Sequence, residues 1–109
     1  MKRGDIITVA LQGDFGKPRP AVVIESDRIL PTETVLICVL TTSLQDNAPF
    51  RRHRIMPAPS TGLREVSEIM VDKVFAVRRK KCGPPIGMLD DSSIEAVTRK
   101  LGLLIGMAD

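Results

Sequence analysis

The run Pro20-Ala21-Val22-Val23-Ile24 is apolar without alternation and closes on Glu25. A strand that is apolar on both faces must be covered on both, so Pro20–Glu25 belongs in the middle of a sheet. The residue before a proline is biased to extended backbone. Arg19 is that residue, so its guanidinium is held at the lip of a buried strand. Its rigid fork of donors suits a phosphate. Equally, Arg19 is the exposed shoulder of an ordinary hairpin, and this short pattern alone favours that reading.

The rest of the chain supplies the other elements. Strands are expected at Asp5–Leu11, Thr34–Thr41 and Glu68–Val77, with an edge strand at Phe50–Met56 and a short last strand at Ile86–Leu89. Loops with glycine, proline or short polar residues separate them. In Glu68–Val77, simple alternation places Ile69, Val71, Lys73, Phe75 and Val77 on one face. Met70, Asp72, Val74 and Ala76 share the other, so Asp72 is expected to be partly buried among apolar neighbours. Ser92-Ser93-Ile94-Glu95 reads as a capping box, and Ile94, Val97, Leu101 and Leu104 then recur at helical spacing. Short strands followed by one helix predict a mainly β fold with a C-terminal helix, a small, partly open SH3-like barrel. With 109 residues, the chain is read as one domain spanning 1–109.

Composition narrows the function. Hydrophobic residues make up 43% of the chain, enough to bury a core. No apolar run approaches the roughly 18–20 residues of a membrane span, and the apolar run after Asp5 is too short for a signal peptide. A cytoplasmic protein without a membrane association is expected. Cys38 and Cys82 form no metal-binding pair, and His53 is the only histidine. No metal or cofactor is therefore expected, and a two-histidine ribonuclease is excluded. The net charge of +3 favours a polyanionic partner. Aromatics are only Phe15, Phe50 and Phe75, which argues against reading single strands by base stacking on aromatic platforms.

Three places can carry chemistry. One is the loop Gly13-Asp14-Phe15-Gly16-Lys17-Pro18-Arg19. A second is the hydroxyl run Thr41-Thr42-Ser43 after a buried strand, which is also ordinary strand-end chemistry. The third is Asp72, either a carboxylate paired locally or an acid tuned by a nearby guanidinium. The clusters Arg51-Arg52-His53-Arg54 and Arg78-Arg79-Lys80-Lys81 suit phosphate contact, although a solvated face is the commoner origin of either.

Together these residues make up a pattern. Arg3-Gly4-Asp5-Ile6, a glycine-containing loop, Lys17-Pro18-Arg19-Pro20-Ala21-Val22-Val23-Ile24, then Leu40-Thr41-Thr42-Ser43 and Ser67-Glu68-Ile69-Met70-Val71-Asp72-Lys73-Val74 resemble, in order and spacing, the MazF/PemK/Kid toxins. The amphipathic helix running to Leu104-Ile105-Gly106 fits as well. The resemblance implies a CcdB/MazF/PemK-type barrel acting as a homodimeric, metal-independent endoribonuclease of a type II toxin–antitoxin system. Its substrate would be single-stranded mRNA and its inhibitor an acidic antitoxin. Catalytic roles carry over onto Arg19, Thr41 and Asp72. RNA contacts are expected at Asp14, Phe15, Lys17, Thr42, Ser43, Lys73, Arg78 and Arg79. Some relatives have a histidine where this chain has Pro18, an arginine at Met70 and a glutamine at Lys73. The alternatives are a CcdB-like gyrase poison and a non-catalytic SH3-like RNA-binding module. The loop-end arginine and strand-end threonine argue against the first, and the second would need the basic patches but not Asp72.

Overall fold

The computed structural model describes residues 1–11 and 17–107. These form six strands and one α-helix: β1 (Asp5–Val9), β2 (Arg19–Val23), β3 (Thr34–Thr41), β4 (Arg52–Ile55), β5 (Ser67–Arg78), β6 (Gly87–Met88) and α1 (Asp91–Leu104), with a 3-10 turn at Arg79–Lys81. The strands make one antiparallel, curled sheet in the order β4-β5-β3-β2-β1-β6. The expected mainly β fold with a C-terminal helix is what the chain adopts. β3 has the expected bounds, and β4 is the expected edge. β1 stops two residues early at Val9. β2 begins at Arg19 itself, so the arginine is part of the ladder and not of the preceding loop.

The two faces of the sheet carry separate apolar clusters. On one, Ile6, Val22, Cys38, Leu40, Ile69 and Val71 pack with Ile94 and Val97 of α1. On the other, Ile7, Val9, Ala21, Val23, Ile37 and Val39 pack with Met70. β2 feeds both clusters, through Val22 and through Ala21 and Val23, which explains its unbroken apolar run.

β5 departs from simple alternation. It pairs Leu40 with Ile69 but Cys38 with Val74, so two steps along β3 face five along β5. The surplus is taken up at Met70–Lys73, where β5 bends. Before the bend Ile69 and Val71 face the helix; after it Phe75 and Val77 lie opposite Ile37 and Val35, on the other side. The expected single face from Ile69 to Val77 is therefore wrong. So is the expected burial of Asp72: residues 67–71 are buried, and Asp72 begins the exposed half of the strand.

The helix also starts earlier than the capping box predicts. Asp90, not Ser92, is the N-cap, and its carboxylate accepts the Ser93 amide at 2.7 Å. The sheet sets this start. The Leu89 amide donates to Gly4 O at 2.9 Å, so the ladder holds the chain up to the residue before Asp90.

A backbone seam joins β6 to the connection that follows β4. The Met88 amide donates to Ser60 O at 3.0 Å. Gly62 has φ +72°, and a Cβ there would lie 2.2 Å from Ile86 O. A Cβ on Gly87 would lie equally close to the Thr61 carbonyl carbon, at 2.2 Å. Both the left-handed backbone and the close approach require glycine at position 62. Gly62→Ala is expected to cost at least about 2 kcal/mol of stability, read as a lowered urea midpoint with an unchanged slope.

Candidate active site

β2 and β3 pair Ala21 with Val39; two residues beyond that pair, one along each strand, are Arg19 and Thr41, and both line one cleft. Thr41 in turn pairs with Glu68 of β5, and Glu68 with Arg54 of β4. Cross-strand partners point to the same side of a sheet. Arg19, Thr41, Glu68 and Arg54 therefore form a row across one face, at the end of the apolar cluster built on Val39 and Met70.

At the start of that row is a cleft of about 170 Å³, lined by Arg19, Pro20, Leu40, Thr41, Thr42 and Ser67. It brings together two of the three catalytic residues expected from sequence. Arg19 is exposed and partnered. The Thr41 hydroxyl accepts the Ser43 amide at 3.1 Å, an ST turn that fixes the oxygen at the strand end. Thr42 and Ser43 are exposed beside it, and Lys17 is exposed on the approach to Arg19. Asp14 and Phe15 lie outside the described residues.

The third expected residue is elsewhere. Asp72 is not in the cleft lining; it sits at the bend of β5 and pairs with Arg51 at 3.3 Å, with Lys73 exposed beside it. Arg78 and Arg79 are at the far end of β5, where Arg78 pairs with Thr34, at the opposite end of β3 from Thr41. Arg79 holds the fold there: it donates to Glu25 at 2.9 Å and to Thr32 O at 2.6 Å.

The carboxylate next to Thr41 is Glu68, which sequence reasoning does not single out. Its side chain is 3% exposed. Oε1 accepts the Gln45 amide at 2.9 Å and Arg52 Nη1 at 3.1 Å. Oε2 accepts Arg54 Nε at 3.0 Å and Nη2 at 2.8 Å. Arg52, itself half-buried, also donates to Ser43 O at 2.9 Å, so its pair with the buried Glu68 ties down the hydroxyl segment. Burial opposes ionisation of Glu68, but the Gln45 amide and the two guanidiniums outweigh it and hold the carboxyl below its ordinary value. A signal is present in the sequence: Arg52 and Arg54 are two apart, hence on one face of β4.

Behind β4, Lys100 donates to Arg52 O at 2.9 Å and lies 3.1 Å from His53 Nδ1. Burial, then the Lys100 charge, pushes the imidazole pKa down, against a smaller upward pull from Asp90. His53 is thus a structural link between β4 and α1. Burial, reinforced by the Asp72 charge, pushes the Cys38 thiol up to about 12. Burial raises Cys82 as well, against a downward pull from Arg79. Among the described residues, no three His, Cys, Asp or Glu side chains come together as a metal site, and no helix is long and apolar enough to cross a membrane.

Comparison with known proteins gives this arrangement a class. Residues 2–105 match the family described as PemK-like, MazF-like toxin of type II toxin-antitoxin system. The chain is 42% identical over 109 residues, 99% of each chain, to a probable endoribonuclease MazF of Mycolicibacterium smegmatis. Its fold is that of an endoribonuclease solved with its cognate antitoxin from a mycobacterial species (TM-score 0.79, 17% identity, 100% of this chain and 98% of that one). It is also that of Mycobacterium tuberculosis toxin MazF-mt6 (TM-score 0.77, 20% identity, 93% and 95%). The chain belongs to the PemK/MazF toxin family.

The Glu68 site has a pH signature. A carboxyl whose pKa is lowered on folding stabilises the native state above its unfolded value, near 4.5, and that contribution is lost as pH falls through the folded value. The urea midpoint of the wild type should fall more steeply below pH 4.5 than that of Glu68→Gln. Near pH 7, Glu68→Ala is expected to cost about 3 kcal/mol, because it leaves the half-buried Arg52 guanidinium without its carboxylate.

Proposed function

We propose that this chain is the toxin of a type II toxin–antitoxin pair and cuts single-stranded mRNA at short sequences, without a metal ion. The observation that carries this reading is the shared cleft of Arg19 and Thr41. RNA supplies its own nucleophile, the 2′-hydroxyl. The protein must align it in line with the leaving oxygen and stabilise charge on the phosphorane. Arg19 supplies a positive fork for that charge. Thr41, its oxygen fixed by the Ser43 amide, hydrogen-bonds a phosphate oxygen with its own proton. The 2′-hydroxyl gives its proton to water as its oxygen attacks phosphorus, and the expelled 5′-oxygen takes a proton from water, leaving a 2′,3′-cyclic phosphate and a 5′-hydroxyl.

Thr42 lines the cleft, Lys17 and Ser43 are exposed beside it, and all three would meet the strand on either side of the cut. Lys73, Arg78, and the already paired Arg79 would serve only a strand continuing along β5. Asp72, outside the cleft and held by Arg51, contributes less than Arg19 or Thr41. The protein works in the cytoplasm, where its substrate is, as a homodimer. The C-terminal tail offers Leu103, Ile105 and Met107 as exposed apolar contacts for such an assembly. The net charge of +3 favours an acidic antitoxin that folds on binding.

Arg19→Ala and Thr41→Ala should each lower cleavage of a mixed transcript about 100-fold or more, with the urea midpoint close to wild type. Asp72→Asn should cost less than about tenfold. Primer extension in the presence of EDTA should map discrete cuts. A 2′-deoxyribose at the scissile position must abolish the cut there; if such a substrate is cleaved, the proposed chemistry is wrong.

A further inference from the structure

Arg54 is not accounted for by the cleavage chemistry. Its side chain is 41% exposed, although Glu68 beneath it is buried. Glu68 takes Nε and Nη2. Nη2 also reaches Asp46, 3.0 Å away on a side chain that is 88% exposed. Nη1 has no hydrogen-bond partner among the described residues. The guanidinium is therefore clamped through Nε and Nη2 by a buried carboxylate, on a side chain that stays well exposed. A pair made only for stability would gain little from that exposure.

Its position gives this a use. Arg54 shares the ladder row and sheet face of Thr41, and Arg19 lies at the other end of the row. The row crosses β2, β3, β5 and β4, three strand spacings or about 14 Å. Two guanidiniums thus bracket the hydroxyl segment on one face.

We infer that Arg54 is a second phosphate-binding residue, taking a backbone phosphate of the RNA beyond the one held at Arg19 and Thr41, with Glu68 as its positioning residue and Asp46 as the group the phosphate displaces. This rests on the proposed RNA-cleaving function. The RNA strand then runs across the strands of the sheet, along the row, rather than along β5. Glu68 fixes the fork without neutralising its outer edge, so the arginine meets the phosphate with little rotamer entropy left to lose. Asp46 lies at the exposed rim, and its carboxylate competes with the incoming anion for the same nitrogen.

The test is binding of a short oligonucleotide with 2′-deoxyribose at the cut, measured by fluorescence anisotropy over a range of KCl concentrations. Arg54→Ala should weaken binding about tenfold. It should also reduce the slope of log affinity against log salt by about 0.7, the change that accompanies one fewer neutralised phosphate on a single strand. Asp46→Ala, on the exposed side chain, should tighten binding several-fold, and this gain should vanish in the Arg54→Ala background. Loss of the gain in the double variant shows that Asp46 acts through Arg54 and not by simple repulsion of RNA. If Arg54→Ala is too unstable to measure, Arg54→Gln and the Asp46→Ala gain carry the same decision. A slope unchanged by the Arg54 substitution, or an Asp46→Ala gain that persists without Arg54, overturns this inference and leaves the cleavage site standing. Wild-type protein that fails to bind the oligonucleotide overturns both.

Discussion

The β3–β5 ladder and its bend govern the rest of the molecule. Before the bend, β5 lies between β3 and β4 and carries Glu68, Ile69, Met70 and Val71 into buried positions. After it, the strand pairs with β3 and is largely exposed. Because three extra residues are absorbed at one place, the first half of β5 can keep Glu68 opposite Thr41 while the second half pairs with the start of β3. A regular ladder would have kept a single alternation and put Asp72 among apolar neighbours.

The bend also decides which charges are structural. The chain holds 16 lysines and arginines, and the fold divides them by their surroundings. Arg52 and Arg79 are absorbed into ion pairs with Glu68 and Glu25, each supplemented by a backbone carbonyl. Lys100 is engaged by the β4 backbone and His53. Lys17 and Lys73 face solvent. A basic cluster in the sequence is thus a mixture: Arg51 pairs with Asp72, Arg52 is half-buried on Glu68, His53 links to the helix and Arg54 straddles buried and exposed surroundings. Treating such a cluster as one patch would miss that its alternate residues go to opposite faces of β4.

What can be read from the sequence follows the same division. β3 is legible because its apolar run is bounded by threonines; Arg19 and Thr41 are joined in the sequence only through the family resemblance, because the adjacency of β2 and β3 that brings them to one cleft is a tertiary fact. The bend is not legible, because Met70-Val71-Asp72-Lys73 contains neither glycine nor proline to mark it. Glu68 is not, because the arginines that bury it come from another strand and look like a solvated charge run. The N-cap is misplaced by two residues because Asp90 and Ser92 both offer a capping oxygen. The Leu89–Gly4 hydrogen bond, a tertiary contact, chooses between them.

The seam at Gly62 and Gly87 has a consequence for how such a chain can diverge. There the barrel is joined by backbone lying against backbone, and a methyl group on either glycine would overlap a main-chain atom. No compensating change in a neighbouring side chain can make that room. The seam is thus a fixed point for mutation, with no second-site route around it. By contrast, the loop at Arg28–Leu30 is exposed and can take up substitutions one at a time. Sequence drift in this fold is steered away from the closure of the barrel and toward exposed loops such as this one.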